Sequence, residues 1–149
     1  LLKSNPDGLM DTAVDEIVRH ASPVLHFRRT AKRDTEIAGQ KIAQGEKVVI
    51  WHISANRDEE QFEEPEHFEI SRSPNHHVGF GGGGPHFCLG ANLARMELRL
   101  IFNEICRRLP DISPTAEPER LRSNFINGIK HLYVEFTPGQ KVNPDTLPD

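Results

Sequence analysis

Val78-Gly79-Phe80-Gly81-Gly82-Gly83-Gly84-Pro85-His86-Phe87-Cys88-Leu89-Gly90 is the stretch on which the fold of this 149-residue chain turns. Gly79, Gly81 and Gly84 satisfy the spacing G-x-G-x-x-G, with Glu104 further on. A phosphate cradle nevertheless needs an apolar strand before the glycines and a helix directly after them, and Pro85 interrupts the run. No Lys-Ser or Lys-Thr follows to make a nucleotide loop. His76, His77, His86 and Cys88 could ligate zinc, but the paired-cysteine spacing of such sites is missing.

A thiolate ligand to haem iron fits the string better. Such a ligand must be deprotonated and aimed at the metal from beneath a flat macrocycle. Glycines let the backbone pass close under that plane. Cys88 lies just before a long helix, where its sulfur can accept backbone N–H bonds and meet the positive end of the helix dipole. His86 can reach a haem propionate. The plain alternative is a free cysteine beside a flexible glycine loop.

Outward from the loop, the chain divides into short elements. Residues 91–109 carry Ala94, Leu98, Ile101, Phe102, Ile105 and Leu109 at helical spacing, with Pro110 as the stop. Residues 11–21 suit a second helix, capped by Asp11 or Thr12, with Ala13, Val14, Ile17, Val18 and Ala21 as its stripe. Asp34 to Ala43 reads as a hairpin, and Val48 to Ile53 as a buried strand. Residues 54–62 are polar enough for a short surface helix. Residues 63–84 form a long irregular stretch. Asn127-Gly128 signals a two-residue hairpin turn. Leu132, Val134 and Phe136 alternate with polar residues as a half-buried strand. The tail, residues 138–149, is polar.

Composition narrows the class. Hydrophobic residues make up 36%, enough for a lean core, and the net charge of −4 is the wrong sign for a nucleic-acid footprint. No run of 18 apolar residues could span a bilayer. Two cysteines point to a reducing, cytoplasmic setting rather than a disulfide scaffold. Leu1 reads as an internal residue, with no initiator Met or leader before it.

Residues 80–95, Phe-Gly-Gly-Gly-Gly-Pro-His-Phe-Cys-Leu-Gly-Ala-Asn-Leu-Ala-Arg, resemble the haem-binding signature of cytochrome P450 enzymes. Gly84, His86 and Gly90 match its fixed positions around Cys88. Phe80 lies one residue further from the cysteine than the family's aromatic, where Gly81 stands instead. The resemblance implies a haem b site with Cys88 as axial thiolate and His86, Phe80, Gly82, Gly84, Gly90 and Ala94 around the cofactor. Glu16 and Arg19 form the family's E-x-x-R pair, three apart on one helix face. Arg72 matches the arginine that joins them in a structural charge network. Pro23 to Ala31 resembles the strand beside the haem, with Arg29 matching the propionate-binding arginine and Arg28 as the alternative. By the same resemblance Val24, Leu25, Phe125 and Ile126 line the substrate pocket.

The resemblance implies a mainly α fold with small β-sheets (α+β), of which residues 1–137 are the C-terminal, haem-ligand third. It implies C–H hydroxylation with dioxygen and two electrons, drawn from NAD(P)H through a ferredoxin or flavoprotein reductase. That partner would dock on the cysteine side, where Arg95 and Arg99 either join a basic face or lie on a solvated one. Three strings, Ser54 to Glu59, Gly90 to Met96 and Asn127 to His131, resemble actinobacterial hydroxylases of sterols and branched lipids. The helices that enclose the substrate have no counterpart here. An isolated chain would leave the cavity open to water, and the stripes of both helices short of partners. The alternatives are a non-enzymatic haem- or zinc-binding module and a truncated reading frame without activity.

Overall fold

A computed structural model describes residues 1–139 of the chain. After a single 3-10 turn at Leu2–Ser4, helix α1 runs Pro6–Ala21. It begins earlier than the apolar stripe indicates. Asn5 caps it by accepting the Gly8 N–H at 3.3 Å, and Pro6 sits at N1, where its missing N–H costs nothing. The expected cap residue Thr12 is inside the helix, its hydroxyl bonded to Leu9 O at 3.1 Å. At the other end Ser22 turns left-handed, with φ 40°, and its N–H closes on Val18 O at 3.1 Å. Pro23 then prevents continuation.

Four two-stranded antiparallel ribbons follow. Strand β1, His26–Thr30, pairs with β4, Lys47–Trp51, in the register Phe27–Ile50 and Arg29–Val48. Between them β2, Thr35–Ile37, and β3, Gln40–Ile42, form the expected hairpin. Strand β4 is not the buried strand its apolar run suggests: Val49, Ile50 and Trp51 are exposed. Among the described residues it has one partner strand and nothing covers its face, so apolarity has no core to enter. It also ends at Trp51, where the short helix α2, His52–Ala55, begins. The surface helix expected over residues 54–62 is thus displaced towards the strand. The residues after it are turns.

No helix or strand occurs between Asn56 and Gly90. Helix α3 then spans Ala91–Arg108 and packs on α1. The remaining ribbons are β5, Ser113–Pro114, with β8, Val134–Glu135, and β6, Glu119–Arg120, with β7, Ile129–His131. Asn127-Gly128 does not make the two-residue hairpin turn: β6 and β7 are joined by the whole of residues 121–128, and neither Asn127 nor Gly128 has a positive φ. Asn127 is drawn to the end of α1 instead, donating its side-chain amide to Ala21 O at 2.7 Å and its N–H to Pro23 O at 2.9 Å. The strand expected over residues 132–136 shrinks to Val134–Glu135, and Leu132, Val134 and Phe136 are all exposed. The polar tail expected from residue 138 lies, from residue 140 on, outside the described residues.

The core sits on α1. Met10, Ala13, Val14 and Val18 are buried there with Phe62 and Ala91. Of the α1 stripe, Ala13, Val14 and Val18 keep their cover, contrary to expectation, while Ile17 is half-buried and Ala21 exposed. The α3 stripe is only partly covered: Ala94, Leu98, Phe102, Ile105 and Leu109 are half-buried and Ile101 is exposed, as are Leu93, Met96 and Leu100 outside the stripe, and Ala91 is the one buried residue of that helix.

Candidate functional site

Three groups of residues are assembled around α1. The first is ionic. Glu16 and Arg19 are both 0% exposed. Arg19 meets the carboxylate as a fork, Nε to Oε2 at 2.7 Å and Nη2 to Oε1 at 2.8 Å. Arg72 Nε lies 3.2 Å from Oε2. The Glu69 N–H (2.8 Å) and the Asn75 side-chain amide (3.1 Å) complete the carboxylate's shell. Burial pushes the Glu16 carboxyl up, but the Arg19 hydrogen bond, the Glu69 N–H and the two guanidinium charges outweigh it and hold it below its ordinary value.

The outer donors of the arginines then reach the irregular stretch. Arg19 Nη1 donates to Asn56 O (2.7 Å) and Pro65 O (2.8 Å), and Nη2 to His67 O (3.0 Å). Arg72 donates to Glu63 O at 2.8 Å and His67 O at 3.1 Å. A segment without secondary structure has many backbone carbonyls to satisfy. Here two guanidinium groups, bridged by one carboxylate, take them.

The second group is the cysteine loop. The Cys88 N–H donates to Phe80 O at 2.9 Å, closing the glycine run into a ring, and the Gly81 N–H donates to Val78 O at 2.8 Å. Gly81, Gly83 and Gly84 have φ of 95°, 94° and 75°, which a side chain would resist. Gly82, Gly83 and Gly84 have no heavy atom within 4 Å of where a Cβ would stand. The Cys88 thiol is exposed, and Phe87 and Leu89 beside it are exposed as well. Among the described residues no N–H donates to the sulfur, unlike the expectation from helix position. The Cys88 carbonyl takes the first helical N–H, from Ala91 at 3.2 Å, and the Ala94 N–H goes to Gly90 O at 2.8 Å. His86 is exposed, with no hydrogen-bond partner among the described residues. The Phe80 ring is occupied, with the Arg95 guanidinium 4.7 Å from its centroid and the His77 ring at 5.8 Å.

The third group is apolar. Val24 forms an isolated antiparallel bridge with Ile126, and the Leu25 N–H donates to Phe125 O at 2.9 Å. These four residues, distant in sequence, are adjacent. Phe27 and Phe125 meet edge to face at 5.8 Å. Arg29 follows Phe27 on the same side of β1, its guanidinium 5.7 Å from the Phe27 ring, and it bonds to no residue of the cysteine loop. Nearby, burial, then the charges of Arg29 and His26, keep the His52 imidazole below its ordinary pKa.

Arg95 and Arg99 are not free on α3. Arg95 Nε lies 2.7 Å from Asp15 Oδ1, and Arg99 Nε 2.6 Å from Asp11 Oδ1. Both tie α3 to α1.

Sequence reasoning missed Asn56. It is fully buried, donates to Ser22 Oγ (2.9 Å) and accepts the Val78 N–H (2.8 Å), so it links α1 to the start of the cysteine loop. Its sequence signal is its place within the string Ser54 to Glu59, a few residues after the apolar run. The sequence offers His77 only as a zinc ligand, whereas the structure buries it against Asp15, and the described residues hold no cluster of three metal-binding side chains.

Comparison with known proteins gives the family. The cytochrome P450 model matches residues 8–135, and the chain belongs to that family. The chain is 57% identical over 134 residues to the methyl-branched lipid omega-hydroxylase of Mycobacterium tuberculosis, covering 90% of this chain and 31% of the relative. It is 54% identical over 138 residues to the steroid C26-monooxygenase of Mycolicibacterium smegmatis, covering 93% and 32%. Among solved structures, a Mycobacterium marinum cytochrome P450 in complex with pseudoionone superposes with a TM-score of 0.87 at 51% identity, over 91% of this chain and 32% of that one. The chain thus spans about a third of the length of the relatives it matches. No helix among the described residues is long and apolar enough to cross a membrane.

Proposed function

We propose that the protein carrying this chain is a haem-thiolate monooxygenase that hydroxylates C–H bonds, and that residues 1–137 are its cysteine-bearing portion. The observation that carries this is the Cys88 thiol, exposed at the end of a glycine ring that its own N–H closes on Phe80. The residues suit haem b. One soft thiolate donor is offered, with open space over Gly82, Gly83 and Gly84 where a flat ring can approach the backbone. Cys88 would be the thiolate that holds the haem iron; His86 and Arg29, exposed and without a carboxylate partner among the described residues, would hold the propionates. When bound, haem supplies the one-electron and dioxygen chemistry that places one oxygen atom in a C–H bond.

The chain's own residues do three things in this reading. Phe80 O fixes the backbone of Cys88. Glu16, Arg19 and Arg72 hold the stretch that leads into the loop and take no part in the reaction. Val24, Leu25, Phe125 and Ile126 present an apolar wall to the substrate. That substrate is a small apolar molecule of the sterol or branched-lipid class, in keeping with the names of the relatives. Electrons come from NAD(P)H through a ferredoxin or flavoprotein reductase, in the cytoplasm, where both cysteines stay reduced.

The test is the reduced, CO-bound absorption spectrum of the full-length protein. A thiolate-type Soret band that Cys88→Ala abolishes is expected. A band of the neutral-ligand type, unchanged by the substitution, would refute the proposal.

A further inference from the structure

We propose that His77 is a positioning residue for the cysteine loop, acting as a neutral imidazole clamped between Asp15 of α1 and the backbone of Gly79. The inference rests on the reading of Cys88 as the haem ligand, but its observations are independent of that reading. The His77 side chain is 2% exposed. Its Nε2 lies 3.4 Å from Asp15 Oδ1, and its Nδ1 accepts the Gly79 N–H at 3.1 Å. An N–H donor pointed at Nδ1 means that Nδ1 carries no proton. The remaining proton is then on Nε2, where Asp15 accepts it.

Gly79 is clamped from the other side too. A Cβ there would stand 2.6 Å from Val18 Cγ1, so the loop is seated directly on α1. The next residue, Phe80, packs on His77 and holds the Cys88 N–H. Asp15 Oδ1 also takes Arg95 Nε at 2.7 Å, and Arg95 covers Phe80. A continuous path therefore runs from Asp15 through His77, Gly79 and Phe80 to the Cys88 backbone. The charged groups that face His77 are Asp15 and Arg19 from α1 and Arg95 from α3. Burial holds the imidazole below its ordinary pKa of 6.5, Arg95 and Arg19 add to this, and Asp15 opposes it. Protonation at Nδ1 would eject the Gly79 N–H.

The test measures amide exchange at Gly79 in the full-length holoprotein. His77→Phe keeps a buried ring but removes both contacts; about tenfold faster exchange at Gly79 is expected at neutral pH, with a smaller thiolate-ligated fraction in the reduced, CO-bound spectrum. His77→Asn, whose amide oxygen can replace Nδ1, should restore most of the protection. The ratio between His77→Phe and the parent should fall towards one as pH drops through the lowered pKa of His77, because the parent then loses the same bond. Exchange within about twofold of the parent, or a ratio that ignores pH, would overturn the proposal. If His77→Phe does not fold, His77→Asn decides: an acid step in Gly79 exchange present in the parent and absent in the variant supports the clamp, and one retained overturns it. Should the parent lack a thiolate spectrum while Gly79 responds as described, the haem reading fails and the clamp stands.

Discussion

Glu16→Gln is nearly isosteric and removes one negative charge from a site that holds two positive ones. In the parent, the carboxylate accepts from Arg19, Arg72, the Glu69 N–H and the Asn75 amide. A glutamine offers one accepting oxygen and turns an NH2 group towards donors. Arg19 is fully buried and cannot turn to water, whereas the Arg72 side chain is 10% exposed and has partial escape. Breaking a buried ion pair by removing one partner costs about 3–5 kcal/mol. With the escape of Arg72 set against the lost backbone bond from Glu69, a loss of about 4 kcal/mol is expected. That is a large part of a typical total stability of about 5–15 kcal/mol.

The assay is urea unfolding of the full-length protein, with Arg72→Met and the double variant alongside. The double variant should lose less than the sum, because the second substitution removes a charge already uncompensated. The pH profile supplies a second check. The Glu16 carboxyl is held below its unfolded value of about 4.5, so its contribution is present above that pH and is lost as pH falls through the lower folded value. Glu16→Gln should flatten that acid limb. A loss under about 1 kcal/mol, or strictly additive variants, would refute the account of a shared buried carboxylate.

Two further substitutions probe the seating of the loop. Gly79→Ala drives a methyl to 2.6 Å from Val18 Cγ1 and should cost about 1–3 kcal/mol in the same unfolding assay, with Val18→Ala recovering part of it in the double variant; additive losses would disprove the contact. Asn56→Ala orphans the Val78 N–H and removes the amide that donates to Ser22 Oγ, whose own bond to Arg19 O remains, so about 1–3 kcal/mol should be lost, and exchange at Val78 should rise; unchanged protection there would contradict the assigned bond.

The local signals in the sequence fared unevenly, for physical reasons. The spacing of Glu16 and Arg19 put them on one helix face because helical periodicity needs no distant partner. The glycine loop carried its own geometry in its composition. Burial was another matter. Val48 to Trp51 look like a core strand, yet a strand is buried only by what packs on it, and the described residues pack little there. Asn127-Gly128 has the local preference for a tight turn, but three hydrogen-bonding groups at the end of α1 and on Arg120 outbid it. The start of α1 is legible in Asn5-Pro6; a stripe counted from Ala13 points later because it passes over Met10, which is buried in the same core. His77 and Asn56 could not be seen as partners of α1, since each contact spans a stretch with no periodicity to follow.

Arg19 and Arg72 grip the irregular stretch through main-chain oxygens at Asn56, Glu63, Pro65 and His67. A carbonyl is the same atom whatever side chain its residue bears. The path of that stretch is therefore indifferent to most of its own amino-acid identities and sensitive to its length. Substitutions at Glu63, Glu64, Glu66 and His67 can alter the surface without disturbing the route to the cysteine. A single inserted or deleted residue would put every carbonyl out of phase with the guanidinium that reads it.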